Sequence, residues 1–412
     1  MTGDVDLVRA RRVALATAAV GGVAFVVLAI LLVPWHPVPG GAPDPVPATD
    51  LLTAEQIDRA EQFSRWSRVW SWSALALSLA VACWLGFSRR ARDWAARTPG
   101  PWWLRVWLLV LVVTVVGRVV VLPLTVARRQ LLLDAGLATS SWGAWTVDLL
   151  IGVGVDVVAT GIALTLVVAC ARRFRRWWPA LVAGLLAALV ALGSFIYPVV
   201  IEPLFNDFEP LPQGSLRTAI LQIADEEGVA VEDVLVADAS RRTSTLNAYV
   251  SGFGSTRRVV LYDTLVDDLP EDQTLSVVAH ELAHAENDDV LVGTALGAAG
   301  VVFGVGLLGA LVLAGERRGR WRLADGSAVP AVLALVALAS LAAAPVQNGI
   351  SRLVETRADV VALRVTEDPG AFLAMQQRLA ERSLADPTPP AWSQWWFGSH
   401  PTLVERAALA LD

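Results

Sequence analysis

The chain has 412 residues, of which 55% are hydrophobic and 17% are charged, and this composition excludes a chain built only from ordinary soluble domains. The formal net charge of −6 argues against a polyanionic partner, so we expect no nucleic acid to bind. The two cysteines, Cys83 and Cys170, lie far apart in apolar runs, which excludes a disulfide framework.

Seven apolar stretches are each long enough to cross a bilayer, which takes about 20 helical residues. They cover residues 13–34, 69–88, 103–124, 147–171, 179–200, 290–315 and 328–348. The first ends in Pro34-Trp35-His36-Pro37 and lacks a small-residue cleavage site, so we expect a retained span and not a signal peptide. The sequence therefore predicts a mainly α-helical polytopic membrane protein.

Arginines cluster at alternate connections between the predicted spans. They precede the first span and recur between the second and third, the fourth and fifth, and the sixth and seventh. All four clusters fall on one side of a seven-span arrangement, and the positive-inside rule assigns that side to the cytoplasm. The block between spans five and six is then expected to lie on the extracytoplasmic side.

Two ionisable residues fall inside predicted spans. Arg118 belongs to the third span and Asp156 to the fourth. Because neighbouring antiparallel spans would place both at a similar depth, we predict a buried ion pair between them that faces the interior of the bundle. A structural role for this pair is favoured over a catalytic one.

Two blocks between or after the spans are more polar. In residues 201–289, a helix is expected near 214–227, and three β-type runs predict a small antiparallel sheet; these runs are 234–237, 246–250 and 258–262. Asp268-Leu269-Pro270-Glu271 has the spacing of a capping box, which predicts a helix start. The second block, 349–412, is expected to be largely helical. The predicted regions are 1–200, 201–289, 290–348 and 349–412.

The most specific chemical signal is the run His280-Glu281-Leu282-Ala283-His284. Residues four apart lie on one face of a helix, so both histidines can reach a single metal ion. Glu281 then lies beside the metal, where a base can take a proton from an activated water molecule. Because the chain holds only four histidines, this spacing predicts a zinc hydrolase site.

A catalytic zinc site needs a third protein ligand and leaves a fourth position open for water. The best candidate is Glu355, just beyond the last predicted span. Asp359 follows one helical turn later and could hold a ligating histidine by its free ring nitrogen. On spacing alone, a solvated helix face is the more common meaning of two carboxylates four residues apart.

Five short motifs follow one another along the chain. They are Pro203-Leu204-Phe205-Asn206 with Pro210-Leu211, Asn247-Ala248-Tyr249, the run from His280 to His284, Ser351-Arg352-Leu353-Val354-Glu355 with Ala358-Asp359, and Ser399-His400-Pro401 with Arg406. With these motifs the chain resembles the integral-membrane CAAX prenyl endopeptidases of type 1, which are gluzincins related to the HtpX heat-shock proteases. The likeness runs nearly end to end and is clearest from the fourth span onward.

The resemblance implies a fold and a role for each matching residue. The fold would be about seven transmembrane helices that enclose a water-filled chamber, with a small α+β metalloprotease domain. The implied roles are zinc ligation by His280, His284 and Glu355, general base and later proton donor by Glu281, oxyanion stabilisation by His400, support of the site by Asp359 and Arg406, and pairing with the substrate backbone by Asn247 and Ala248. The implied cofactor is one Zn²⁺ per chain.

The expected function is that of a membrane-embedded zinc metalloendopeptidase acting on peptides or membrane-associated proteins, including lipidated ones. The resemblance implies C-terminal processing of the CAAX type; alternatives are a quality-control protease of the HtpX type and a non-catalytic zinc-binding scaffold or channel. Glu281 favours an enzyme, since a scaffold has no use for a base beside the metal. The composition points to a bacterial plasma membrane. The resemblance places the site on the cytosolic side, but we give the arginine distribution more weight.

Overall fold

The computed structural model describes residues 2–411 and forms a long helical bundle joined to a small mixed domain. The helices are α1 (Thr2–Leu32), α2 (Ala54–Phe87), α3 (Arg89–Arg97), α4 (Trp102–Asp134), α5 (Trp142–Arg173), α6 (Trp178–Ile196), α7 (Ser215–Glu226), α8 (Asp263–Asp268), α9 (Glu271–Glu286), α10 (Asp289–Arg317), α11 (Val329–Thr366), α12 (Pro369–Ser383), α13 (Ala391–Phe397) and α14 (Leu403–Leu411). The strands are β1 (Phe208–Pro210), β2 (Asp233–Ala237), β3 (Ala248–Ser251) and β4 (Arg258–Tyr262).

Seven of the helices in the described part of the chain are long and apolar enough to span a membrane. They are α1, α2, α4, α5, α6, α10 and α11, and each overlaps one of the predicted spans. The protein is therefore an integral membrane protein of mainly α-helical class, as predicted. The second span belongs to a longer helix than predicted, because α2 begins at Ala54, with a capping box at Thr53, well before residue 69.

The arginine clusters lie together at one end of the bundle. Arg172, at the end of α5, donates a hydrogen bond of 2.7 Å to the carbonyl of Ala324, between α10 and α11. Ala10 of α1 and Ala95 of α3 belong to the same apolar core as Trp321. From this end, α10 runs back for 29 residues, about 43 Å, to the end where its first residue lies beside the histidine motif. The clusters thus share one end, opposite the candidate site.

The four-stranded sheet has the order β1-β2-β4-β3. The prediction of an antiparallel sheet was wrong for its central pair, because β2 and β4 are parallel, with Val234 opposite Val259. After β2 the chain crosses to the outside to form β3, and the hairpin through Gly252 then brings β4 back between β3 and β2. Gly252 has a φ of 93°, and a Cβ there would meet the Thr256 carbonyl oxygen at 2.3 Å. This topology leaves β3 as an edge strand.

One predicted helix begins in the expected segment but lacks the expected cap, and one predicted span is longer than expected. The helix carrying the histidine motif begins at Glu271 without a side-chain cap, because the carboxylate of Asp268 pairs instead with Arg382 from α12. The last span does not end near residue 348: α11 is one continuous helix of 38 residues that carries the chain from the bundle into the candidate site.

Arg118 and Asp156 form the predicted ion pair between α4 and α5, with 2.6 Å between guanidinium nitrogen and carboxylate oxygen. Each side chain is nevertheless half exposed, so the expected burial was wrong. Gly117 and Gly154 lie near the pair in sequence and provide no side chain to cover it.

Candidate metal and active site

Two helices bring the candidate metal ligands together. His280 and His284 lie one turn apart on α9, and their Nε2 atoms are 3.3 Å apart. Glu355, on α11, places Oε2 at 3.3 Å from Nε2 of His280 and Oε1 at 3.7 Å from Nε2 of His284. One ligand atom from each of the three residues lies within 4.8 Å of the others. Residues more than 70 positions apart in sequence thus share one pocket.

The orientation of α9 follows from its packing. Leu282 is fully buried and belongs to the same apolar core as Leu261 of β4 and Phe372 of α12. The histidines of the motif lie on the other face of α9, which contacts α11. The sheet and α12 therefore hold the helix while α11 supplies the third ligand.

Asp359 lies where the sequence predicted, one turn beyond Glu355, and is completely buried. Its Oδ1 is 2.9 Å from Nδ1 of His280. Arg406, from α14, donates from both Nε and Nη2 to the same carboxylate, with 2.8 Å between Nε and Oδ2. The ring of His280 is thereby fixed with Nε2 facing Glu355, and the buried charge of Asp359 is paired.

His284 has a similar support that sequence reasoning missed. Oδ2 of Asp289, the first residue of α10, lies 2.9 Å from Nδ1 of His284, and Arg357 of α11 pairs with Oδ1 of the same carboxylate. Each histidine is therefore backed by an aspartate that is held in turn by an arginine. The available signal was an aspartate five residues after His284, but nothing in the spacing distinguishes it from the neighbouring Asp288.

The three ligands fit a zinc ion by geometry and by donor chemistry. Tetrahedral zinc with ligand bonds of about 2.0–2.1 Å separates its donor atoms by about 3.3–3.4 Å, close to the distances between the two histidines and Glu355. Oε2 of Glu355 is buried and makes no hydrogen bond with any described residue. Two imidazoles and one carboxylate are also a donor set typical of catalytic zinc.

Burial and charge shift the pKa values of the groups on α9 and beside it. Burial alone would lower the pKa of His280, but the carboxylates of Asp359 and Glu355 outweigh it and raise the pKa to about 10. Burial raises the pKa of Glu281, an effect opposed by His280 and His284. A cation bound here would compete with protons for His280, so its binding would release a proton.

The ligands line a cavity of about 600 Å³, and Glu281 and the edge strand β3 form other parts of its wall. The carbonyl of Asn247 accepts a hydrogen bond from the amide of Tyr262 at 3.0 Å, so the backbone polar groups of Asn247 face β4. Because these groups alternate along an antiparallel strand, those of Ala248 and Val250 face the open edge. The cavity is thus a groove with a free strand edge along one wall.

His400 lies at the rim of the groove, with its side chain 60% exposed. Its Nε2 is 3.4 Å from Oε2 of Glu355, and its Nδ1 is 2.9 Å from the hydroxyl of Ser399. Burial of part of the ring lowers the pKa of His400, and the nearby negative charge of Glu355 opposes this effect. All nine site residues singled out in the sequence therefore line the groove or contact a residue that does.

The chain matches two protein families, and the two matches together cover most of its length. Residues 210–411 match peptidase family M48, and residues 45–207 match the N-terminal region of CAAX prenyl proteases, described as having five membrane helices. The second match covers much of the helical bundle, and the first covers both segments that build the groove.

Curated relatives agree with these matches. An uncharacterized metalloprotease of Bacillus subtilis, YhfN, is 31% identical over 333 residues, which are 78% of this chain and 76% of the relative. A CAAX prenyl protease 1 homolog of Oryza sativa is 32% identical over 56% of this chain, and the match spans 55% of that relative. CAAX prenyl protease 1 of Saccharomyces cerevisiae is 40% identical over 101 residues, or 24% of this chain and 22% of the relative.

Among solved structures, the crystal structure of Ste24p from S. mikatae is similar in fold. It superposes with a TM-score of 0.77 over 97% of this chain and 99% of that chain, at 21% sequence identity. The fold of a long helical bundle joined to a small mixed domain is therefore shared between the two proteins.

Proposed function

We propose, from the premise that this chain belongs to peptidase family M48, that it is a membrane zinc endopeptidase which cleaves peptides or membrane-associated proteins. It is a membrane metalloprotease of the CAAX prenyl protease type, as the family matches and relatives establish. The zinc ion, the roles of the individual residues and the substrate are the parts that we propose.

One observation carries the proposal: Nε2 of His280, Nε2 of His284 and a carboxylate oxygen of Glu355 converge at distances suited to one zinc ion. Glu281 follows His280 directly and lines the same groove without belonging to the ligand set. A scaffold that only stores a metal needs the ligands but not this carboxylate. Its presence favours a catalytic site over the scaffold or channel.

The residues around the groove suggest how a peptide bond would be hydrolysed. A zinc ion held there would polarise the scissile carbonyl and acidify a water molecule. Glu281 takes a proton from the attacking water and returns it to the leaving amine. His400, at the rim beside Glu355, donates a hydrogen bond to the oxygen on which negative charge develops. Asp359 and Arg406 keep His280 oriented throughout.

The groove suggests how a substrate is held. An extended peptide can add to the free edge of β3 through the backbone groups of Ala248, while the exposed side-chain amide of Asn247, whose backbone groups face β4, lies close by. Part of the groove is lined by apolar residues of one cluster that are buried or half-buried: Leu246, Val277, Met375 and Leu379. This part suits an apolar side chain of the substrate, which is compatible with CAAX-type processing and with quality control of membrane proteins.

A fluorogenic peptide with apolar residues at its centre tests the proposal. The purified protein should cleave it, lose activity on removal of divalent cations with a chelator, and regain activity with stoichiometric Zn²⁺. Glu281→Gln should bind zinc as the wild type does. It should cleave the peptide at least about 10³-fold more slowly, since the general base is lost. Wild-type rates in Glu281→Gln would remove the assignment of this residue as the base.

A further inference from the structure

An ion pair crosses the groove beyond the end of the edge strand. Nη2 of Arg257, in the turn between β3 and β4, lies 2.7 Å from Oδ1 of Asp288, in the turn between α9 and α10. Both residues line the groove. The Arg257 side chain is only 17% exposed, whereas that of Asp288 is 55% exposed. The pair thus joins the wall that would bind a peptide to the wall that carries the histidines.

On the sheet side, Arg257 has a firm attachment. Its carbonyl accepts a hydrogen bond of 2.7 Å from the amide of Glu232, and β4 begins at the next residue. The turn that precedes it is tight, because Gly252 adopts a positive φ and approaches the carbonyl of Thr256 closely. The guanidinium therefore projects from a rigid hairpin whose first strand is the open edge β3.

On the helix side, Asp288 has an unusual backbone. Its φ of 52° and ψ of 36° are left-handed, a conformation that glycine adopts freely and that strains other residues. Asp288 also directly precedes Asp289, which contacts His284. A residue that is strained where glycine would fit indicates that its side chain is used, and here the side chain reaches Arg257.

We propose that Arg257 and Asp288 form a strut that sets the width of the groove and so positions the substrate backbone between β3 and the metal-binding helix. Both are positioning residues, since neither belongs to the set that would hold the metal or move a proton. The inference rests on the proposed function only in taking the groove as the place where a peptide binds.

The test compares Asp288→Gly with Glu367→Gly. Glu367 is exposed and has the same left-handed backbone, with a φ of 50° at the end of α11, but it does not line the groove. Both changes relieve backbone strain, which in Asp288→Gly offsets part of the loss of the ion pair, so both variants should fold with a Tm close to that of the wild type. The strut predicts that only Asp288→Gly raises KM, about tenfold, with kcat within twofold and zinc content unchanged. Asp288→Asn, which can still accept a hydrogen bond from Arg257, should recover part of the lost affinity.

A binding measurement separates this inference from the catalytic proposal. A fluorescein-labelled form of the fluorogenic peptide is titrated into each variant in the Glu281→Gln background, and anisotropy reports binding without hydrolysis. Asp288→Gly should weaken binding about tenfold and Glu367→Gly should not change it. Equal binding by Asp288→Gly and the Glu281→Gln parent would overturn the strut, whatever the outcome of the hydrolysis assays. Equal weakening by the two glycine variants would overturn it as well, since strain relief alone would then be the cause.

Discussion

Asp289 orients the ring of His284, because its Oδ2 lies 2.9 Å from Nδ1, the ring nitrogen that faces away from the other ligands. The same aspartate pairs with Arg357, which stands on α11 two residues after Glu355. The first residue of one membrane span is thus tied to the last part of another through a histidine of the candidate metal site. The positions of these helices and the geometry of the site are therefore linked.

Replacing Asp289 should weaken zinc binding. In Asp289→Ala the ring of His284 loses the acceptor that orients it, and we expect zinc affinity to fall about 10- to 100-fold. Asp289→Asn should lose less, because the amide oxygen still accepts a hydrogen bond. Competition with a zinc-binding dye measures both affinities. Asp267→Ala, at an exposed carboxylate on α8, serves as the control, and a loss of affinity there equal to that of Asp289→Ala would refute a specific role.

Arg406→Ala should destabilise the fold. Asp359 is fully buried, and without Arg406 its charge loses its main partner. Breaking a buried pair by removing one member costs about 3–5 kcal/mol, so we expect a clearly lower Tm in a thermal shift assay of the detergent-solubilised protein. Arg406→Lys keeps the charge but not the two-pronged contact and should lose less. An unchanged Tm for Arg406→Ala would mean that the pair contributes no net stability.

Val250→Pro should reduce peptide binding with little change in Tm. The backbone groups of Val250 face the open edge of β3, so proline there removes a donor available to the substrate but no bond to β4. Loss of one backbone hydrogen bond, about 0.5–1.5 kcal/mol, corresponds to a roughly 2- to 13-fold fall in kcat/KM. Tyr249→Pro should instead disrupt the pairing with β4 and lower Tm. If Val250→Pro cleaves the peptide as the wild type does, β3 does not bind substrate through this residue.

Labelling of single cysteines should determine the orientation. With Cys83 and Cys170 replaced by serine, a membrane-impermeant maleimide added to intact cells should label Ser255→Cys, at the exposed hairpin beside the groove. It should not label Asp93→Cys, on α3 at the arginine-rich end, until the cells are opened. The reverse pattern would place the groove in the cytoplasm and contradict the arginine-based prediction.

Local patterns in the sequence were sufficient to predict the spans and the helix that carries the two histidines, whereas Glu355 was singled out as a ligand mainly by the resemblance of its motif. Periodicity places His280 and His284 on one helix face, and the motifs around Glu355 and Arg406 mark residues that the fold brings together. Long-range order was harder to predict. The parallel pairing of β2 with β4 depends on where the chain crosses, and β1 is a three-residue strand ending in Pro210, with too short a pattern to detect.

The aspartates that support the two histidines show the same limit of local sequence patterns. Asp359 could be predicted because it lies one turn from Glu355, on the same face. Asp289 could not, because it belongs to the next helix and faces His284 only through the tight turn at Asp288. The strut between Arg257 and Asp288 joins two turns that are 31 residues apart, and no local pattern pairs them.

The central claim is that two imidazoles and one carboxylate hold a zinc ion, and an anomalous difference map recorded at the zinc edge from crystals of the zinc-loaded protein tests it most directly. We predict a single strong peak about 2.0–2.2 Å from Nε2 of His280, Nε2 of His284 and a carboxylate oxygen of Glu355. A map without a peak among these atoms, or one in which the oxygens of Glu355 lie more than about 5 Å from the metal, well beyond ligand distance, would contradict the account.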